Sequence, residues 1–127
     1  MISRTNRFHG RGSLGRHYKQ SKSVRSTAMA LRYVPSRGAN YRLAVVVSRK
    51  VSKSAVIRNR IRRRIYEHVR ILSGNFITPF DLVIIVYDEK VAKMPSEQLQ
   101  QDLIKMCQKA YVVPTRLPLH AIVEPKE

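Results

Sequence analysis

The chain has 127 residues, 43% of them apolar, and 25 Lys and Arg against 8 Asp and Glu for a net charge of +17. That is room for one modest core over residues 1–127, and it excludes a wholly disordered basic tail and a two-domain protein. No stretch approaches the roughly 18 uncharged apolar residues of a membrane span, and the lone Cys107 excludes an internal disulfide.

The charge is unevenly placed. Through Leu72 there are 19 basic residues and one acid, Glu67; from Ser73 onward there are 6 basic and 7 acidic residues. Protein surfaces ordinarily mix both signs, and so uncompensated a domain repels itself unless a polyanion accepts its charge. Nucleic acid is the expected partner. An anionic membrane is not, because the one strongly basic helix needs its apolar stripe for a core. Met1 to Arg25 carries arginines and no apolar run, which fits a cytoplasmic protein without a signal peptide.

In chain order, the first segment is basic and interrupted by Gly10, Gly12 and Gly15. Phe8, Leu14 and Tyr18 nevertheless keep a helical spacing that predicts a short helix near residues 13–20. Residues 28–34 alternate, with Met29, Leu31 and Tyr33 on one face and Ala28, Ala30 and Arg32 on the other, the period of a half-buried strand. Pro35 to Asn40 predicts a turn. Residues 41–48 alternate again, Tyr41, Leu43, Val45 and Val47 against Arg42, Ala44, Val46 and Ser48, and read as the hairpin partner of the preceding strand. One face of this sheet is bulky and apolar; the other is small and partly basic, as suits a sheet covered by helices on one side and open on the other.

Ser52 and Ser54 are candidate N-caps for a helix over residues 55–72, whose Ile57, Ile61, Ile65, Val69 and Leu72 form one apolar stripe. Ser73, Gly74 and Asn75 stop it. The β-branched run over residues 81–87 predicts a central strand covered on both faces. Its link to the preceding strand, through the arginine helix, is long enough for a crossover between parallel strands. Pro95 and Ser96 open a last helix, with Ser96 as N-cap, Glu97 in the first turn, and Leu99, Leu103, Met106, Cys107, Ala110 and Tyr111 turned inward. The tail over residues 112–127 carries Pro114, Pro118 and Pro125 and is expected to be loosely ordered.

With Ile57, Ile61 and Ile65 inward, Arg58, Asn59, Arg60, Arg62, Arg63 and Arg64 are left to the outer arc of the helix. Like charges three and four residues apart repel, so such an arc suits phosphates better than water. Guanidinium groups bind phosphate oxygens in pairs, and Asn59 adds a neutral donor and acceptor for a base or a 2′-hydroxyl. Protein-borne hydrolysis would need clustered carboxylates or histidines for metal ions. The basic part offers one acid, and His9, His17, His68 and His120 show no ligand spacing.

Arg58-Asn59-Arg60, within the run from Arg49 to Ile65 and after a Val-rich strand ending at Ser48, resembles the RNR motif of the bacterial ribonuclease P protein family. The likeness extends over roughly residues 6–111, through Arg7-Phe8, Leu14 and Tyr18 and the strands at 41–48 and 81–87. It implies an α+β fold, a two-layer sandwich with a small four-stranded sheet in the order αβββαβα, and a left-handed crossover at the arginine helix, as in the second domain of a small-subunit ribosomal protein. It implies that Arg49, Lys50, Lys53, Arg58, Asn59, Arg60, Arg62 and Arg63, with Arg64 beside them on the arc, face ribonuclease P RNA. It further implies that Leu14, Tyr18, Arg32 and Arg42 line a cleft for the single-stranded 5′ leader of precursor tRNA. The chemistry would then belong to Mg2+ held mainly by the RNA subunit, with no catalytic or metal-binding side chain on the protein. Leu14 and Arg32 depart from the family pattern, which places aromatics there. The charge and size are also those of a ribosomal RNA-binding protein or, without helix-turn-helix spacing to support it, a DNA-binding regulator.

Overall fold

In the computed structural model, which describes residues 21–36 and 38–114, the organising element is the strand at Phe80–Val86. Its β-branched run buries five of seven side chains on the two faces of the sheet outright or nearly so, which only an interior strand can do. The strands are β1 (Lys22–Arg25), β2 (Met29–Pro35), β3 (Arg42–Val47) and β4 (Phe80–Val86), and they lie in the order β1-β2-β4-β3. β4 is antiparallel to β2 and parallel to β3. The helices are α1 (Ala55–Leu72) and α2 (Ser96–Lys109), with 3-10 turns at Ser73–Asn75 and Glu89–Ala92.

One expectation about the sheet needs correction. β2 and β3 do not form a hairpin, because β4 inserts between them and pairs with both. An apolar strand in the sheet centre needs a hydrogen-bonding neighbour on each edge, and the long β3–α1–β4 connection lets it reach that slot. The edge strand β1 was not evident from residue pattern: Lys-Ser-Val-Arg has little apolar alternation, and its pairing with β2 sets it in place. The family resemblance did imply this third strand before α1. The helix expected near residues 13–20, with Leu14 and Tyr18, and the tail beyond Pro114 lie outside the described residues.

Register gives the sheet two faces. Met29, Leu31, Leu43, Val45, Val47, Leu82, Ile84 and Val86 meet Ile61, Ile65, Val69 and Leu72 of α1 and Leu99, Leu103, Ile104, Met106 and Cys107 of α2 in one buried cluster. His68 joins α1's stripe, and its Nδ1 contacts Gln100 Oε1 of α2 within the core. Burial pushes the Cys107 thiol up to about 12, so it behaves as a small apolar side chain.

The helix ends explain where α1 and α2 begin and stop. Ser54 caps α1, its Oγ accepting from Ile57 N at 3.3 Å, while the buried Ser52 Oγ accepts from Ser54 N at 3.2 Å. Ser96 is not the N-cap of α2; Pro95 holds that place without a side-chain bond, and Ser96 is the first helical residue. Tyr111, expected inward, is 69% exposed and sits at φ 58°. There it closes α2: its N–H bonds to the Gln108 carbonyl at 3.1 Å and Val112 N to the Cys107 carbonyl at 2.9 Å. This left-handed cap is ordinarily glycine's role, and it turns Val112 and Val113 into the core in place of Tyr111.

Candidate nucleic-acid interface

α1 carries the basic residues at angles fixed by its buried stripe. Asn59, Arg60 and Arg63 are exposed on the side opposite Ile61, Ile65 and Leu72, while Arg58, Arg62 and Arg64 are half-buried on its flanks. The preceding loop adds exposed Arg49, Lys50 and Lys53, and these three with Arg58 line an open hollow of about 580 Å³. No Asp or Glu occurs between Arg49 and Arg64. Four cations around one concavity, without a carboxylate in the segment, make a seat for phosphate oxygens.

Individual arginines do different things. Arg58 Nη1 donates to the Ser52 carbonyl at 2.9 Å and the Lys53 carbonyl at 3.2 Å, so it shapes the loop as well as lining the hollow. Arg62 Nη2 donates to Asn59 Oδ1, which fixes the amide that the sequence reading offered to a base. Arg64 departs from the expected outer arc. Its guanidinium curls onto the molecule, donating to the Val91 carbonyl at 2.7 Å and to the Met94 carbonyl, and so ties α1 to the Glu89–Ala92 turn. The pattern of charges could not foretell this, because its acceptors are main-chain carbonyls some 30 residues away. Glu67 pairs with Arg70 one turn beyond the motif, and that guanidinium holds the Glu67 carboxyl well below the usual carboxylate range.

The opposite sheet face carries the two described residues of the expected leader cleft. Arg32 on β2 and Arg42 on β3 lie on this face in neighbouring rows, with Val83 and Asp81 of β4 between the strands. Neither arginine is bare. Arg32 Nε donates to Ser21 Oγ at 2.9 Å. Arg42 grips the buried Asp81 with two bonds, Nε to Oδ1 at 2.8 Å and Nη2 to Oδ2 at 2.6 Å, which raises the guanidinium's pKa further. The sequence reading missed Asp81 as a site residue; its one available signal was an acid opening an otherwise apolar strand. It also missed Tyr87, 50% exposed just past β4, with the Arg25 guanidinium 4.9 Å over its ring. Among the described residues, no three His, Cys, Asp or Glu come together as a metal site, and no helix is long and apolar enough to cross a membrane.

An α+β sandwich with an arginine-rich helix, whose Arg49–Arg64 approach and arc hold no acid, and a basic hollow at one side is the build of an RNA-binding protein. The family model described as Ribonuclease P matches residues 2–111, and the chain belongs to that family. It is 31% identical over 114 residues to the ribonuclease P protein component of Chloroflexus aggregans, covering 90% of this chain and 84% of the relative. To that of Chloroflexus aurantiacus it is 33% identical over 107 residues, 84% of this chain and 77% of the relative. Among solved structures, the Staphylococcus aureus RNase P protein matches with a TM-score of 0.74 at 25% identity, covering 85% of this chain and 97% of that one. The Thermotoga maritima RNase P protein shares the fold, with a TM-score of 0.69 at 22% identity over 78% of this chain and 92% of that one.

Proposed function

We propose that the chain sets the hollow of Arg49, Lys50, Lys53 and Arg58, and the outer arc of α1, against the catalytic RNA of ribonuclease P, and offers its open sheet face to the 5′ leader of precursor tRNA. As a family member it is the protein component of ribonuclease P, a subunit of the endonuclease that matures tRNA 5′ ends. The observation that carries the proposal is the gathering of four cations around one hollow in a segment without a single acid. Guanidinium and ammonium groups there release counterions from RNA and screen the repulsion between two RNA strands brought together for cleavage. Asn59, held by Arg62, presents a fixed amide beside them.

In this reading the bond-breaking belongs to the RNA and the Mg2+ it holds, and the protein contributes affinity for substrate in the cytoplasm. The scarcity of acids through Leu72 supports it, since hard cations take oxygen ligands that this part of the chain does not supply. Reconstitution with ribonuclease P RNA is the test. The protein should raise cleavage of precursor tRNA at low magnesium, where charge screening by the metal is weakest. Equal rates with and without it, at every magnesium concentration, would overturn the proposal.

A further inference from the structure

The open sheet face is not uniform along its length. Register arranges it in rows about 6.7 Å apart: Val34, Asp81 and Arg42; then Ser23, Arg32, Val83 and Ala44; then Arg25, Ala30, Ile85 and Val46. Tyr87 continues β4's alternation into a fourth row, its N–H bonded to the Ala28 carbonyl at 2.8 Å. In the first two rows the polar groups already have partners within the protein. Asp81 and Val83 are buried, Arg42 is spent on Asp81, and Arg32 is bonded to Ser21. Toward the far end Ala30 is still buried and Ile85 half-buried, but Val46 is 37% exposed, Tyr87 is 50% exposed, and Arg25 and Ser48 are exposed.

We infer that Tyr87, with Arg25 stacked on it, is the platform on which this sheet holds an unpaired RNA base, an inference that rests on the leader-binding reading above. Tyr87 leaves half of its surface in water at the end of this face, and every base offers a π-face that can stack on an exposed aromatic ring. Arg25 lies over the ring at 4.9 Å, which keeps the phenol oriented and puts a positive charge within reach of the phosphate attached to a stacked base. The position also fits the rest of the interface. Ser48 leaves β3 at this end and runs directly into Arg49 and Lys50 of the basic hollow. An RNA strand leaving the hollow for the sheet therefore meets Tyr87 before it meets Arg32 or Arg42. This platform lies at the opposite end of the same face from Arg32 and Arg42.

The test uses the reconstituted ribonucleoprotein and two substrates, precursor tRNA with its leader and mature tRNA without one. Tyr87→Ala should weaken binding of the leader-bearing substrate about fivefold or more, the loss of one base stack, and leave mature tRNA unaffected. Tyr87→Leu, which keeps bulk without a π-face, should lose as much, and Tyr87→Phe should lose nothing. With 2-aminopurine placed at successive leader positions, one position should be quenched in the wild-type complex and bright in Tyr87→Leu. A Tyr87→Leu complex that binds and quenches like the wild type overturns the inference alone, provided the wild type prefers the leader-bearing substrate. If the wild type shows no such preference, the leader-binding reading itself fails and this inference falls with it.

Discussion

The two surfaces proposed to meet RNA handle positive charge in opposite ways. In the loop before α1 and on its outer arc, cations line a hollow or stand exposed beside it with no acid in the segment, whereas on the sheet Arg42 is neutralised by Asp81 and Arg25 is spread over an aromatic ring. The first surface suits the backbone of a structured RNA, where affinity comes from phosphates and falls steeply with salt. The second suits bases of an unpaired strand, where contact comes from planar surface and depends less on ionic strength. Arg64 shows that the boundary runs through α1 itself, since Asn59, Arg60 and Arg63 stand exposed while Arg64 is bonded to main-chain carbonyls of the fold.

The comparison can be broken at the pair that neutralises the sheet. Asp81→Asn should cost about 2 kcal/mol in urea unfolding, less than the roughly 3–5 kcal/mol of fully buried pairs because Arg42 keeps 37% of its side chain in solvent. The same measurement on Arg60→Ala should show a change within about 0.5 kcal/mol, since its side chain is exposed. RNA binding should reverse the ranking. Arg60→Ala should lower the slope of log affinity against log salt by about one, while Arg42→Ala leaves it unchanged. Equal slope changes for the two would erase the distinction between the surfaces. Arg64→Leu sharpens the boundary within α1: it strands the Val91 and Met94 carbonyls, costing about 1–2 kcal/mol of stability, with an unchanged salt slope.

Much of this was legible in the residues. The bounds of α1 and its stripe follow from Ser54 and the spacing of Ile61, Ile65, Val69 and Leu72, because a long amphipathic period overrides local detail. β4 declared itself as a central strand by its β-branched run, yet which strands flank it was not written there; pairing partners are chosen by the whole sheet, so the supposed hairpin of β2 with β3 went astray. Arg58-Asn59-Arg60 marked the candidate interface, since an acid-free arc has no structural explanation. The division of labour among the arginines was not legible. Arg64 and Arg58 bond main-chain carbonyls, and every residue supplies a carbonyl, so no residue type signals such a contact. Tyr87 escaped notice for a related reason: a tyrosine at a strand end reads as core until its exposure is known.

The smallest effect concerns the one acid of the basic half. Glu67 pairs with Arg70 at i and i+3, and its carboxyl titrates near 2 instead of its ordinary 4.5. A carboxylate with a depressed folded-state pKa stabilises the fold above its unfolded value and loses that contribution as pH falls through the folded one. Arg70 keeps 48% of its side chain exposed, so solvent screening limits the pair to a few tenths of a kcal/mol. Glu67→Gln should therefore lower the urea midpoint slightly at pH 7, and the gap from wild type should close between about pH 4.5 and pH 2. For RNA the sign is opposite: removing the carboxylate adds net positive charge next to the arc, so affinity should rise modestly at low salt and converge with the wild type at high salt. A fall in affinity would mean that Glu67 is holding Arg70 in an RNA-contacting pose, and the phosphate-binding surface would then extend one turn further along α1 than Arg63.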